Sequence, residues 1–296
     1  MDSSPQGVRA RCAELSRLGV EFSVAATPDN LAAFELTPLG VPLTALAFLT
    51  ADWRHDVMLR LWNQMDAYAF GPREMPMPNW VLVDHALMSS GLIMAACDEA
   101  ALPGLLERFG VTEAERGILD LLLADIHALG YDGPVPIAGY CAAPTAERSR
   151  WMGWSMCSAI PHAGLGFAVK ALGLETYRAG VVTGVTQYDN VSLRSHVKFG
   201  PARIESAIVD LHTAPGSLVY SSDLAAWRRG ETPGSAEARE PDLLLSARDR
   251  DGHLELQRRI EAGARVEIVA PGLITGGAEP LVPICVSPVP AESAHA

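Results

Sequence analysis

The chain is poor in basic residues relative to acidic ones. Its 296 residues include 23 Lys and Arg against 35 Asp and Glu, which gives a formal net charge of −12 with neutral histidines. Proteins that bind nucleic acid or anionic membranes do so mainly through Lys and Arg, so this balance argues against both partners. It leaves room for a small anion site built from backbone amides, which needs no lysine.

The chain also lacks an uninterrupted apolar run of membrane-spanning length. Its longest uncharged stretch, residues 151–169, is broken in the middle by glycines and a proline, whereas a spanning helix needs about 20 predominantly apolar residues. The start, Met1-Asp2-Ser3-Ser4-Pro5, has no basic region followed by an apolar one. We therefore expect neither a membrane span nor a signal peptide.

Cysteine is scarce, with five residues, no CxxC pair and one thiol left over after any pairing. Reduced thiols and a cytoplasmic location are the simplest interpretation. No His/Cys spacing indicates zinc, so no metal is expected.

Apolar residues make up 49% of the chain, enough for a sizeable core, and their spacing alternates between strand-like and helix-like segments. Residues 71–78 and 228–242, which are rich in Pro and Gly, are predicted as a segment boundary and an exposed linker. Strand 151–160 is apolar on both faces, as expected of a central buried strand. The pattern predicts helices at 8–19, 51–70, 100–129, 164–177, 191–199 and 254–262, and strands at 41–50, 80–88, 91–97, 135–142, 151–160, 181–188, 202–211, 265–270 and 281–286.

One segment carries a chemical signal: the turn Pro161-His162-Ala163-Gly164-Leu165-Gly166 between a strand and a helix. A turn that opens a helix exposes unpaired N–H groups at the positive end of the helix dipole, and pyrophosphate commonly binds such sites. Glycines at 164 and 166 let a ligand approach the backbone closely. The dinucleotide-binding fingerprint lacks its third small residue here, and there is no Walker lysine.

This turn, continued by Phe167-Ala168, is followed by Asp189-Asn190-Val191-Ser192-Leu193-Arg194-Ser195-His196-Val197-Lys198-Phe199-Gly200. The ordered pair resembles the acyl-CoA-binding core of the GNAT superfamily of N-acyltransferases over about residues 150–201. The family's Arg/Gln falls on Pro161, its Tyr on His196 and its closing aromatic on Pro201.

The resemblance implies an α/β fold, with a GNAT-like mixed, twisted central sheet flanked by helices. It divides the chain into a helical N-terminal extension (1–39), an acyltransferase-like core (40–215), and a linker with a C-terminal extension (216–296). It implies transfer of a small acyl group from acetyl-CoA or another acyl-CoA to a small-molecule amine, by direct attack on the thioester. The implied cofactor-binding residues are Cys157, Ser158, Ile160, His162, Ala163, Gly164, Leu165, Gly166, Phe167 and Asn190.

His196 stands where the family often places the Tyr that protonates the departing thiolate, a role that an imidazole can fill near neutral pH. The alternative is a histidine packed at a helix–sheet edge. Asn190 has a similar alternative, because capping the helix that follows would by itself explain an asparagine there.

The candidate general bases are Asp84 and His85, polar residues on the otherwise apolar segment 80–88. Burying a polar group in such a strand destabilises the fold unless the group is hydrogen-bonded, so its presence can indicate a function. A hydrogen-bonded core histidine is the alternative for His85, and an amine could also lose its proton through water.

Two other functions stay open. One is a GNAT-like enzyme with divergent chemistry, either decarboxylase/lyase chemistry or acyl transfer that depends on a carrier protein, which the departures at Pro161 and His196 motivate. The other is a non-catalytic ligand-binding module whose turn is structural. A homodimer and a carrier protein stay open as partners.

Overall fold

Two dense units make up the chain, Met1–Ala179 and Gly180–Ala296. A computed structural model describes residues 2–47, 53–73, 78, 81, 90–209, 216–231 and 240–288. Both units combine helices with β-sheet, so the predicted α/β class is confirmed. The division between the units falls inside segment 40–215, which was predicted as one core.

The first unit is built on a five-stranded sheet in the order β2-β1-β3-β4-β5. Strands β1 and β2 are parallel, and the other neighbours are antiparallel. The elements of this unit are α1 (Pro5–Arg17), β1 (Val20–Ala26), α2 (Pro28–Ala33), β2 (Thr44–Ala47), α3 (Trp53–Phe70), β3 (Gly91–Cys97), α4 (Leu102–Phe109), α5 (Gly117–Leu129), β4 (Val135–Pro144), β5 (Arg150–Ser158) and α6 (Leu165–Thr176).

Two glycines allow helices to pack closely on opposite faces of this sheet. A Cβ at Gly173 of α6 would lie 2.7 Å from the Tyr140 ring, and a Cβ at Gly139 of β4 would overlap Nε1 of Trp62 in α3. Side chains of neighbouring strand residues point to opposite faces, so residues 139 and 140 belong to different faces. Helix α6 therefore covers one face of β4, and α3 covers the other.

The second unit carries an antiparallel sheet in the order β6-β8-β7-β10-β11-β9. Its elements are β6 (Val181–Gln187), α7 (Leu193–His196), β7 (Ala202–Val209), β8 (Ser217–Asp223), α8 (Ala225–Arg228), β9 (Leu243–Ser246), α9 (Arg250–Glu261), β10 (Arg265–Ile268) and β11 (Leu281–Ser287). One face of the sheet holds an apolar cluster that includes Leu218, Tyr220, Val266 and Ile284. The C-terminal strands thus extend the sheet beyond β7.

Two sequence predictions were wrong in detail. The helix predicted over 100–129 is two helices, because Gly110 ends α4 in a left-handed conformation (φ 63°) and a capping box at Thr112 starts a new turn. Strand β5 is not buried on both faces: its register against β4 skips Trp154, whose side chain is exposed. Of the strand predicted over 80–88, Val81 is helical, and the other residues lie outside the described ranges.

Three strands escaped the sequence prediction: β1, β8 and β9. Strand β1 lies within residues 1–39, which were predicted to be helical, and it pairs with both β2 and β3.

All five cysteines lie in the described parts of the chain, where they are free and buried. Among the described helices, none has the length and apolar character needed to cross a membrane.

Candidate functional site

The predicted turn lies in the first unit, between the end of β5 and the start of α6. His162 and Gly164 both adopt left-handed backbone conformations, with φ of 63° and 73°. The N–H of Ala163 donates to the carbonyl of Pro161 over 2.8 Å, which closes a three-residue turn at His162. The chain thereby reverses sharply from the strand into the helix.

Gly164 is the N-cap of α6, and no side chain caps this end of the helix. Helix geometry leaves the N–H groups of Leu165 and Gly166 without a carbonyl four residues earlier in the helix. A Cβ at Gly166 would meet Met156 only at 3.6 Å, an ordinary contact. This helix end therefore offers backbone amides and the positive end of the dipole, with space at Gly166.

The strand end that precedes the turn is buried and already hydrogen-bonded. Burial raises the pKa of the Cys157 thiol well above its ordinary value, and the negative charge of Asp66 adds to this effect. Ser158 donates its hydroxyl to the carbonyl of Ile160 over 3.0 Å, and Ala159 donates its N–H to the carbonyl of Ile137 over 2.8 Å. Cys157 is thus unsuited to act as a thiolate.

A carboxylate from another loop reaches this turn. Oε1 of Glu115 lies 2.8 Å from Nε2 of His162, and Oε2 of Glu115 accepts from the N–H of Thr112 over 3.0 Å. The backbone hydrogen bond from Thr112, followed by the contact with His162, lowers the pKa of Glu115 to about 2. Glu115 is therefore charged at neutral pH.

Asn190 and His196 lie in the second unit. Oδ1 of Asn190 accepts from the N–H of Ser192 over 2.9 Å, and the hydroxyl of Ser192 lies 3.4 Å from that of Thr186. The Asn190 side chain therefore organises the turn that leads into α7. It does not cap the helix, because the N-cap residue is Ser192 and no side chain caps this helix end.

His196 is buried at the end of α7. Its imidazole stacks on the ring of Tyr220, with 4.5 Å between centroids and 22° between planes. Tyr220 in turn fits against Gly184 of β6, where a Cβ would come 2.7 Å from the tyrosine oxygen. Burial raises the pKa of Tyr220, so this hydroxyl stays protonated.

The predicted residues thus fall into two groups. Cys157 and the residues of the turn are adjacent in the first unit, and Asn190 and His196 share the α7 region of the second. The candidate bases Asp84 and His85 lie outside the described residues, as do residues 74–77 of the Pro/Gly-rich segment.

Sequence reasoning missed a buried polar contact between α3 and β5. Ser155 donates its hydroxyl to Oδ1 of Asp66 through a short hydrogen bond, and both side chains are buried. The charge of Asp66 also contributes to the raised pKa values of Cys141 and Cys157. The apolar spacing of α3 does not show that Asp66 has a buried partner. The partner becomes visible only when the register of β5 places Ser155 opposite the helix.

Lys170 is a second residue that the sequence did not single out. It lies on α6 and is 1% exposed, and burial lowers its pKa to about 7. No group of three or more His, Cys, Asp or Glu side chains within the described ranges is arranged to hold a metal ion.

The sequence matches no protein-family model, and no curated protein matches it. Among solved structures, the chain is similar to a protein from Lactobacillus plantarum that is provisionally named an N-acetyltransferase. The identity is 10% and the TM-score 0.37, over 70% of this chain and 99% of that one. A likeness at this level establishes neither family nor activity.

Proposed function

We propose that this chain binds an acyl-CoA at the turn between β5 and α6 and transfers its acyl group to a small-molecule amine. The observation that carries the proposal is the left-handed Gly164, which opens a 12-residue helix with no side-chain cap. The resemblance of the sequence at 161–168 and 189–200 to the GNAT core supplies the ligand class. The overall negative charge is no obstacle, because backbone amides and a helix dipole attract one bound anion without basic side chains.

The residues of this region suit such a ligand. The amides of residues 164–166 would hold the pyrophosphate, since the N–H of Ala163 already donates to Pro161. The end of β5 at 157–160 would run beside the pantetheine arm. Gly166 leaves space for the phosphates, since a Cβ there would make only ordinary contacts. Bound acyl-CoA would supply a thioester whose carbonyl carbon is open to nucleophilic attack.

The proposed reaction is direct. The amine nitrogen forms a bond to the acyl carbon, the carbon–sulfur bond breaks, and the electron pair leaves with sulfur. The amine loses a proton and the sulfur gains one. His196 stays the predicted proton donor, because an imidazole exchanges protons near neutral pH.

Binding of coenzyme A tests the proposal, with Gly166→Glu as the variant. A carboxylate in the first turn of a helix favours helix stability but repels a phosphate at the same place, so the variant should fold and lose affinity. Gly117→Glu is the matched control, because Gly117 begins α5 and a Cβ there has nothing within 4 Å. We expect calorimetry to show binding by wild type and by Gly117→Glu only. Equal binding by Gly166→Glu, or none by wild type, would contradict the proposal.

A second candidate function, a ligand-binding module without turnover, is favoured by the packing of His196. A buried imidazole stacked on Tyr220 matches the alternative of a packed histidine at a helix–sheet edge. Binding of acetyl-CoA or propionyl-CoA without release of free thiol, across a broad panel of amines, would support this function. Thiol release only from a carrier-bound thioester would instead support the divergent enzyme.

A further inference from the structure

Glu115 joins two loops that are 47 residues apart in sequence. One carboxylate oxygen lies 2.8 Å from Nε2 of His162. The other accepts from the N–H and the hydroxyl of Thr112, over 3.0 and 2.8 Å. Because Thr112 fixes the carboxylate from behind, the side chain of His162 is held against an already ordered group.

His162 is the only residue of the turn 161–166 whose side chain can form hydrogen bonds; the others are Pro, Ala, Leu and two Gly. Its φ of 63° lies in the left-handed region, which is unfavourable for a non-glycine residue. A contact that fixes the imidazole of His162 therefore also stabilises its left-handed backbone conformation. That conformation sets the direction of the amides that follow in the turn.

We propose that Glu115 is a positioning residue for the turn 161–166: it anchors His162 and so keeps the amides of that turn arranged for a pyrophosphate. This inference rests on the proposed function for its ligand. The anchoring itself rests on the Thr112–Glu115–His162 contacts.

The first test compares Glu115→Gln with Glu113→Gln. Gln keeps an oxygen for Thr112 but loses the charge that attracts the imidazole. Glu113 lies on the same turn and is exposed, and its side chain makes no hydrogen bond or ion pair with the described residues, so its variant removes the same charge without breaking a contact. The contact between Glu115 and His162 is exposed and contributes little free energy, so we expect the Kd of coenzyme A to rise only about two- to fivefold in Glu115→Gln, and not in Glu113→Gln. In turnover, KM for the acyl-CoA should rise by the same factor, with kcat unchanged.

Loss of the Glu115 charge could also strengthen coenzyme A binding, because the carboxylate would repel a phosphate bound nearby. Removing either carboxylate relieves such repulsion, and Glu113→Gln measures how large the relief is. At about 1 M salt, where the Debye length is about 3 Å, the repulsion is screened and the loss from Glu115→Gln should persist relative to wild type. If Glu115→Gln binds coenzyme A as tightly as Glu113→Gln, or more tightly, the proposal is overturned.

A double-mutant cycle with His162→Asn checks that Glu115 acts through His162. Asn tolerates the left-handed region well, so this variant removes the imidazole without forbidding the backbone conformation. We expect the double variant to bind coenzyme A no more weakly than the weaker single variant. Additive losses would mean that Glu115 acts by another route and would overturn the proposal.

Amide hydrogen exchange of the ligand-free protein provides a readout that needs no coenzyme A. The N–H of Ala163, bonded to Pro161, should exchange faster in Glu115→Gln than in wild type and Glu113→Gln, with amides of β4 unchanged. Equal rates in all three proteins would refute the anchoring role. If wild type does not bind coenzyme A, the proposed function fails, and the exchange rates still decide whether Glu115 orders the turn.

Discussion

The imidazole of His196 lies flat against the phenol ring of Tyr220, 4.5 Å from centroid to centroid. The pair joins the end of α7 to strand β8, within the second unit. A ring at position 196 is therefore part of the packing, whatever chemistry the imidazole performs. A substitution that keeps the ring but removes its nitrogens can therefore distinguish a catalytic role of His196 from a structural one.

His196→Phe keeps a flat ring on Tyr220 but removes the proton-carrying nitrogens. If His196 protonates the leaving thiolate, kcat should fall about 100-fold or more, the usual contribution of a general acid, while the Kd of coenzyme A stays near the wild-type value. Steady-state kinetics and calorimetry measure the two quantities. Tyr220→Phe, which preserves both rings, should leave kcat close to wild type. Unchanged turnover in His196→Phe would remove the assigned role.

Gly164→Ala should weaken coenzyme A binding as well as stability, because a Cβ disfavours the left-handed conformation that opens α6. Gly130→Ala provides the comparison, since Gly130 is also left-handed (φ 60°) and ends α5 with nothing near its Cβ position. Each change should lower the free energy of unfolding by about 1 kcal/mol, as measured by denaturant titration. Only Gly164→Ala should raise the Kd. A similar loss of affinity in both variants would indicate a global effect.

Lys170→Met should stabilise the protein at neutral pH. Burial lowers the pKa of Lys170 in the folded protein to about 7, from 10.5 when the chain is unfolded. Between these values the unfolded chain binds more protons, so the penalty from the buried lysine is largest at about pH 7 and below, and it shrinks as the pH rises towards 10.5. Methionine removes the charge and retains much of the apolar volume.

We expect Lys170→Met to raise the free energy of unfolding by a few kcal/mol at about pH 7 and by much less at about pH 10. Urea denaturation at both pH values measures the difference. Lys198→Met is the comparison, because Lys198 is half-buried and its pKa is lowered less. A gain that is independent of pH would mean that the charge of Lys170 is not the cause.

Two buried serines should respond in opposite ways to removal of the hydroxyl. Ser155→Ala leaves the buried carboxylate of Asp66 without one of its donors and should cost about 1–3 kcal/mol of unfolding free energy. The hydroxyl of Ser222 has no hydrogen-bond partner among the described residues, so Ser222→Ala should be neutral or slightly stabilising. Thermal unfolding of both variants compares them. A loss in Ser222→Ala equal to that in Ser155→Ala would contradict the assigned contacts.

The sequence predicted the turn and helix at 161–177 well because their signals are local. Glycines mark the turn, and a dense apolar run follows it directly. The division of the predicted helix at 100–129 was missed, although Gly110 carries a C-terminal signal, because the apolar spacing continues on both sides of it.

Contacts between distant residues could not be predicted in this way. Asp66 and Ser155 are 89 residues apart, and their meeting depends on the packing of α3 on a strand whose register skips Trp154. The contact between His196 and Tyr220 could not be predicted either. Tyr220 lies on β8, a strand rich in serine that shows little apolar alternation. The partner of His196 was therefore not visible in the pattern.

The short strand β9 has a consequence for self-association. It is the last strand in the order of the second unit and contains only four residues, Leu243–Ser246. An exposed sheet edge is a template for edge-to-edge aggregation, and a typical strand of about five or six residues would offer a longer one. An incoming strand therefore finds few backbone groups to pair with along β9, which disfavours growth of fibrils from this edge.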